Sequence, residues 1–174
     1  WPIFHGSDQT NRSPETGLLK SWPEEGPALV QTISGIGEGY SSVTIAGGML
    51  FTAGSVESHP YVFAFDMNGK LLWKKPVGQA WTTTMSWASS YTGTRSTPTY
   101  DKGNIYFLGE MGLLIALEAK TGRQLWQSTV PNYGLGSLMA VPKSVWIENK
   151  FDETTIIDAA TGNVQYALQQ GLYL

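Results

Sequence analysis

The sequence predicts an all-β repeat protein, and three observations predict it: a turn-and-strand motif that recurs three times, a spacing near 40 residues between copies, and no sustained helical period. The motif runs from Ala64 to Trp73 (AFDMNGKLLW), from Ala116 to Trp126 (ALEAKTGRQLW) and from Ile156 to Tyr166 (IIDAATGNVQY). In each copy an acidic residue, Asp66, Glu118 or Asp158, closes an apolar strand. Gly69, Gly122 or Gly162 follows within four positions, and an aromatic residue stands four positions later. An acidic side chain can bond the backbone of the turn, glycine supplies the positive φ that a compact turn needs, and the aromatic residue gives the next strand a large apolar face.

The spacing fixes the size of the unit. Gly69 and Gly122 lie 53 residues apart and Gly122 and Gly162 lie 40 apart, so the unit is near 40 residues with an insertion in the first interval. That is the length of a four-stranded propeller blade. The first unit divides into strands at 42–45, 49–52, 61–65 and 71–74. The second divides at 97–100, 104–108, 113–117 and 124–127, and the third at 137–140, 144–147, 155–157 and 164–167. Gly47 with Gly48, Lys102 with Gly103, and Pro142 with Lys143 punctuate the same junction in each unit, as hairpins require. The predicted organisation is an extended segment over 1–27, then a partial β-propeller over 28–174. Within it are a lone outer strand at 28–33, blades at 41–78, 94–130 and 135–170, and an inserted loop at 79–93. The one helix candidate is a single turn at 13–16, with Ser13 as cap and Pro14 in the first helical position.

Composition bounds the function. Twenty glycines, seven tryptophans and 14% charged residues among 174 suit a compact all-β chain with ample core. A formal charge of −3 without a Lys/Arg cluster gives no footprint for nucleic acid or an anionic membrane, and no apolar run is long enough to span one. The absence of cysteine excludes disulfides and thiolate metal sites. The first residue, Trp1, is neither an initiator Met nor part of an apolar signal, which fits an exported protein after signal removal.

The motif Ala-x-Asp-x-x-Thr-Gly-x-x-x-Trp resembles the blade signature of quinoprotein-like propellers, the PQQ-like repeat family. The copy at 116–126 matches with Glu118 in place of Asp; the copy at 64–73 is one residue shorter before Gly69, and the third ends in Tyr166. The opening, with Trp1 to Gly6 and then Ser13 to Pro23, is also similar to the mature start of exported bacterial members. The resemblance implies a periplasmic or extracellular location. It also implies that a strand at 28–33 would complete a last blade, although Gln31 stands where relatives carry the blade Trp. Three blades are too few to close a ring, so the resemblance calls for missing blades or self-association, and a single apolar edge strand invites the latter.

Two classes of function follow. Aligning the units places Glu38, Tyr40 and Ser41, then Arg95 and Ser96, then Ser137 just before each innermost strand, where they would rim one end of a central channel. The inserted loop, with Trp81 and Trp87, departs from the repeat beside them, and such loops often carry binding. These eight residues are the candidate ligand-binding set, with no catalytic or metal residue assigned. The first expectation is therefore a non-catalytic exported module that binds a protein partner or small ligand on its loop face, in concrete form an outer-membrane assembly-type scaffold. The alternative implied by the family is a PQQ- and calcium-dependent alcohol or sugar dehydrogenase, or a fragment of one. Trp81 or Trp87 would then floor the quinone and Glu38, Glu110 or Asp101 would offer oxygen, but no pair of these acids has motif spacing. His5 and His59 are isolated, and the Gly35–Gly39 stretch lacks the third glycine and the helix of a dinucleotide loop.

Overall fold

The chain is seen in a computed structural model that describes residues 2, 3, 6, 8, 10–82, 84, 86, 92–130, 137–148 and 153–169. Twelve strands form three separate four-stranded antiparallel sheets, each built from consecutive strands. The first blade contains β1 (Thr44–Ala46), β2 (Met49–Val56), β3 (His59–Asp66) and β4 (Leu71–Pro76). The second contains β5 (Thr99–Asp101), β6 (Asn104–Leu108), β7 (Leu113–Glu118) and β8 (Gln124–Thr129). The third contains β9 (Ser137–Val141), β10 (Ser144–Glu148), β11 (Glu153–Asp158) and β12 (Val164–Gln169). The innermost strands β1, β5 and β9 neighbour one another in that order, so the blades radiate from a common side as in a partial, unclosed propeller.

The acidic turns explain why the third and fourth strands of each blade meet where they do. Asp66 Oδ1 accepts from the backbone N–H of Asn68 and of Lys70, both at 2.9 Å, and Gly69 closes the turn at φ 78°. Asp158 Oδ1 likewise accepts from the N–H of Ala160 and Thr161, at 3.0 and 2.8 Å. Glu118, one methylene longer, instead takes the hydroxyl of Thr121 and the guanidinium of Arg123. The register shifts at the same place in all three blades, between Ala64 and Phe65, Ala116 and Leu117, and Ile156 and Ile157. Each shift is a bulge that twists the outer strand.

Stacking of the blades makes the core. One face of the second blade packs Ile105, Phe107, Ile115 and Leu117 against Phe51, Val62 and Ala64 of the first. Its other face packs Tyr106, Leu108, Leu114 and Trp126 against Val145, Ile147 and Ile157 of the third. Ile105 to Leu108, which alternate along β6, thus all lie buried, because both faces of this blade are covered.

Two expectations at the N-terminal end fail. Residues 13–16 form no helix: the Ser13 hydroxyl donates to Glu15 Oε2 at 2.7 Å and accepts from the Glu15 N–H at 3.3 Å, closing a local turn instead. With no apolar stripe to bury, nothing extends that turn. Residues 28–33 are not a strand either, since a strand needs a neighbour with which to exchange bonds and none lies beside them among the described residues. Leu29 and Val30 stand 82% and 93% exposed. Only the end of the segment reaches the first blade, where Ile33 packs with Ile36 on Leu50, Phe63 and Phe65.

Candidate functional site

The lead-in to the first blade is threaded between two backbones. The N–H of Glu38 donates to the Ser55 carbonyl at 2.9 Å and the N–H of Ser55 returns to the Glu38 carbonyl at 2.7 Å. Two residues on, the N–H of Tyr40 donates to the Thr94 carbonyl at 2.7 Å. Glycine makes this approach possible. A Cβ on Gly37 would meet the Ser55 carbonyl oxygen at 2.0 Å, and one on Gly54 would meet that of Ile36 at 2.0 Å. A glycine inside an otherwise apolar strand marks such a close approach, and Gly54 in β2 was that signal in the sequence.

The threading brings side chains together. Glu38 Oε2 accepts from the Thr92 hydroxyl at 3.1 Å, and the Arg95 guanidinium lies 5.2 Å from the centre of the Tyr40 ring. Tyr40 is 58% exposed, so the pair sits at the surface. Glu110 ties the next stretch down: its Oε2 accepts from the Trp81 N–H at 2.6 Å and its Oε1 from the Ser55 hydroxyl at 3.3 Å. The result is a cavity of about 540 Å³, within the range of small-molecule sites. Glu38, Ser55, Glu57, Trp81 and Thr92 are among its lining residues.

The sequence-derived set is therefore divided. Glu38 and Trp81 share the cavity wall, and Tyr40 pairs with Arg95 nearby. Ser41 serves the fold instead, its hydroxyl donating to the Ser42 carbonyl at 3.1 Å and accepting from the Ala53 N–H at 3.2 Å. Ser96 is half-buried. Ser137 begins β9 opposite Glu148, and its side chain lies outside the described residues, as do Trp87 and His5 altogether. His59 opens β3 and is exposed, its Nδ1 lying 2.8 Å from the Glu57 carbonyl. The sequence reasoning missed Ser55, Glu57 and Ser58 as cavity residues, took in Thr82 and Thr92 only as part of the inserted loop, and named Glu110 only as an isolated acid.

Among the described residues, no three His, Cys, Asp or Glu side chains are grouped so that they could hold a metal ion. Nor is any helix among them long and apolar enough to cross a membrane.

Stacked four-stranded blades with the acidic turn and docked aromatic define a PQQ-like β-propeller. A family model described as outer membrane protein assembly factor BamB matches residues 58–172, and the chain belongs to this family. No curated protein matches it. Among solved structures, BamB from Moraxella catarrhalis is 14% identical at a TM-score of 0.51, covering 77% of this chain and 36% of its own. A europium-containing methanol dehydrogenase is 19% identical at a TM-score of 0.59, covering 81% of this chain and 26% of its own. The quinohemoprotein alcohol dehydrogenase ADHIIG from Pseudomonas putida HK5 is 19% identical at 0.54, covering 78% of this chain and 21% of its own. The chain thus spans about a third of the BamB structure and less of the dehydrogenases, and at these identities the likeness is one of fold.

Proposed function

We propose that this chain is a non-catalytic, exported propeller module whose loop face binds a protein partner or a small ligand, in the manner of an outer-membrane assembly scaffold. The observation that carries this reading is the convergence of segments 37–38, 55–58, 80–82 and 92–93 on one cavity, held by the Glu38–Ser55 backbone pair and by the carboxylates of Glu110 and Glu38. The family description, an assembly factor, supports the scaffold form. A dehydrogenase of the quinone type would need oxygens converging on calcium. Here Glu110 has both carboxylate oxygens engaged, by the Trp81 N–H and the Ser55 hydroxyl, and one oxygen of Glu38 takes the Thr92 hydroxyl. These hydrogen bonds commit the acids to holding the fold, which favours the module.

The test is a titration of the chain with PQQ and calcium, followed by tryptophan fluorescence. Quenching that stays unsaturated, at the level given by free tryptophan, supports the module. Saturable, calcium-dependent quenching overturns it.

A further inference from the structure

We infer that the cavity between Glu38, Glu57 and Trp81 is a saccharide-binding site. The inference rests on the reading of the loop face as a binding surface, and it names the class of ligand. Four separate stretches of chain build the walls, cross-linked by the Glu38–Ser55 backbone pair and by Glu110 beneath Trp81. The walls also depend on glycine, since a Cβ on Gly93 would meet the Glu38 carbonyl oxygen at 2.6 Å.

The lining selects the ligand by elimination. Among the described residues no Lys, Arg or His lines the cavity while two carboxylates do, so an anionic ligand is repelled. A wholly apolar ligand would strip water from Glu38, Glu57 and the hydroxyls of Ser58 and Thr82 without replacing it. Ionised carboxylates only accept hydrogen bonds, whereas serine and threonine hydroxyls both give and take. Trp81, Val56 and Ala80 supply an apolar stretch beside them. A molecule that presents many O–H donors along its edge and a C–H face between them satisfies both halves, and a pyranose ring has that form. An organic ammonium ion would satisfy the carboxylates and the indole but would leave the hydroxyls idle.

The experiment follows the tryptophan indole N–H signals by two-dimensional NMR while glucose, N-acetylglucosamine, maltotriose and cellotriose are added separately. The Trp81 signal is identified by its loss in Trp81→Phe, and the Trp73 signal reports that the fold is intact. At least one saccharide is expected to move the Trp81 signal saturably, with affinity unaffected by added salt and weakened about tenfold in Glu57→Gln, the loss of a hydrogen bond to charge. Glu57 lies at an exposed hairpin tip, so that variant keeps its fold. The inference is overturned if no saccharide moves the signal, or if the shift survives Glu57→Gln unchanged. It is also overturned if n-butylammonium moves the signal in a salt-sensitive way and the saccharides do not. PQQ with calcium, added to a parallel sample, separates the two readings: a saturable response there overturns the non-catalytic module, whatever the saccharides do.

Discussion

The indole N–H of Trp73 donates to the carbonyl of Ala119 at 2.9 Å, fastening the outer strand of the first blade to the acidic turn of the second. Trp126 repeats the bond to Ala159 of the third blade at the same distance. In each case the ring lies against the glycine of that turn: a Cβ on Gly122 would meet the Trp73 ring at 2.7 Å, and one on Gly162 the Trp126 ring at 2.6 Å. The motif is thus half a joint in every blade, the aromatic residue reaching forward and the glycine turn receiving from behind.

Gly122→Ala and Gly162→Ala are expected to destabilise the chain by about 1–3 kcal/mol each, because the added methyl both overpacks the ring and sits at positive φ. Gly103→Ala, at φ 88° with nothing near its Cβ position, isolates the backbone contribution alone. Chemical denaturation of the three variants measures the difference. Equal losses at all three positions would show that the ring contact contributes nothing.

The third aromatic residue tests the joint from the other side. Tyr166 occupies the place of Trp73 and Trp126 but is 63% exposed, as no further blade stands before it among the described residues. Trp126→Phe is expected to cost about 1–2 kcal/mol through its lost hydrogen bond and contacts, whereas Tyr166→Phe stays within about 0.5 kcal/mol of the parent chain. A costly Tyr166→Phe would mean that the third blade has found a partner in solution, and light scattering would then show a mass above that of one chain.

The sequence made the blades legible because their determinants are local. Acid, glycine and aromatic residue act within a dozen positions, and Lys102 with Gly103, both at positive φ, form the tight hairpin that their place in the repeat demands. Gln31 was also readable as the residue in the Trp position: its Oε1 lies 3.2 Å from where a Cβ on Gly69 would stand. What that reading could not supply was a ladder, since pairing depends on a neighbour that the local pattern does not encode, and so Gln31 and Ile33 reach the blade without 28–33 being a strand. The cavity was only partly legible for the same reason. Trp81 and Glu38 belong to segments that break the repeat and drew notice, but Ser55, Glu57 and Ser58 belong to an ordinary hairpin and become site residues only when Gly54 lets another backbone approach.

Acid should loosen the joints by way of the turns. Hydrogen bonds from Thr161, first from its side chain and then from its backbone, hold the Asp158 carboxyl below its ordinary value of 3.8, and bonds from Thr121 and Arg123 do the same for Glu118. A carboxyl with a lowered folded-state pKa contributes stability that is present above its unfolded value and lost as pH falls through the folded one. The denaturation midpoint is therefore expected to fall between about pH 4 and more acidic conditions, and the fall should be shallower in Asp158→Asn. Both residues are only half-buried, so the effect is modest, and parallel pH profiles for the parent chain and the variant would remove these turns as its source.

Burial also differs from blade to blade, and hydrogen exchange should report it. The second blade is covered on both faces, with Ile105, Leu114, Ala116 and Leu117 at 0% exposure. The third turns Trp146, Tyr166 and Leu168 outward at 37, 63 and 53%. Local opening is cheapest where fewest apolar contacts are lost, so the amides of β6 and β7 are expected to exchange slowest and those of β12 at least about tenfold faster. The first blade should fall between them, because Ile33 and Ile36 cover part of its open face. Raising the chain concentration supplies the decisive comparison. If copies pair through their open faces, protection of β11 and β12 rises with concentration toward that of β6; if it does not change, those faces stay open in the isolated chain. Uniform protection across all three blades at low concentration would contradict the burial gradient itself.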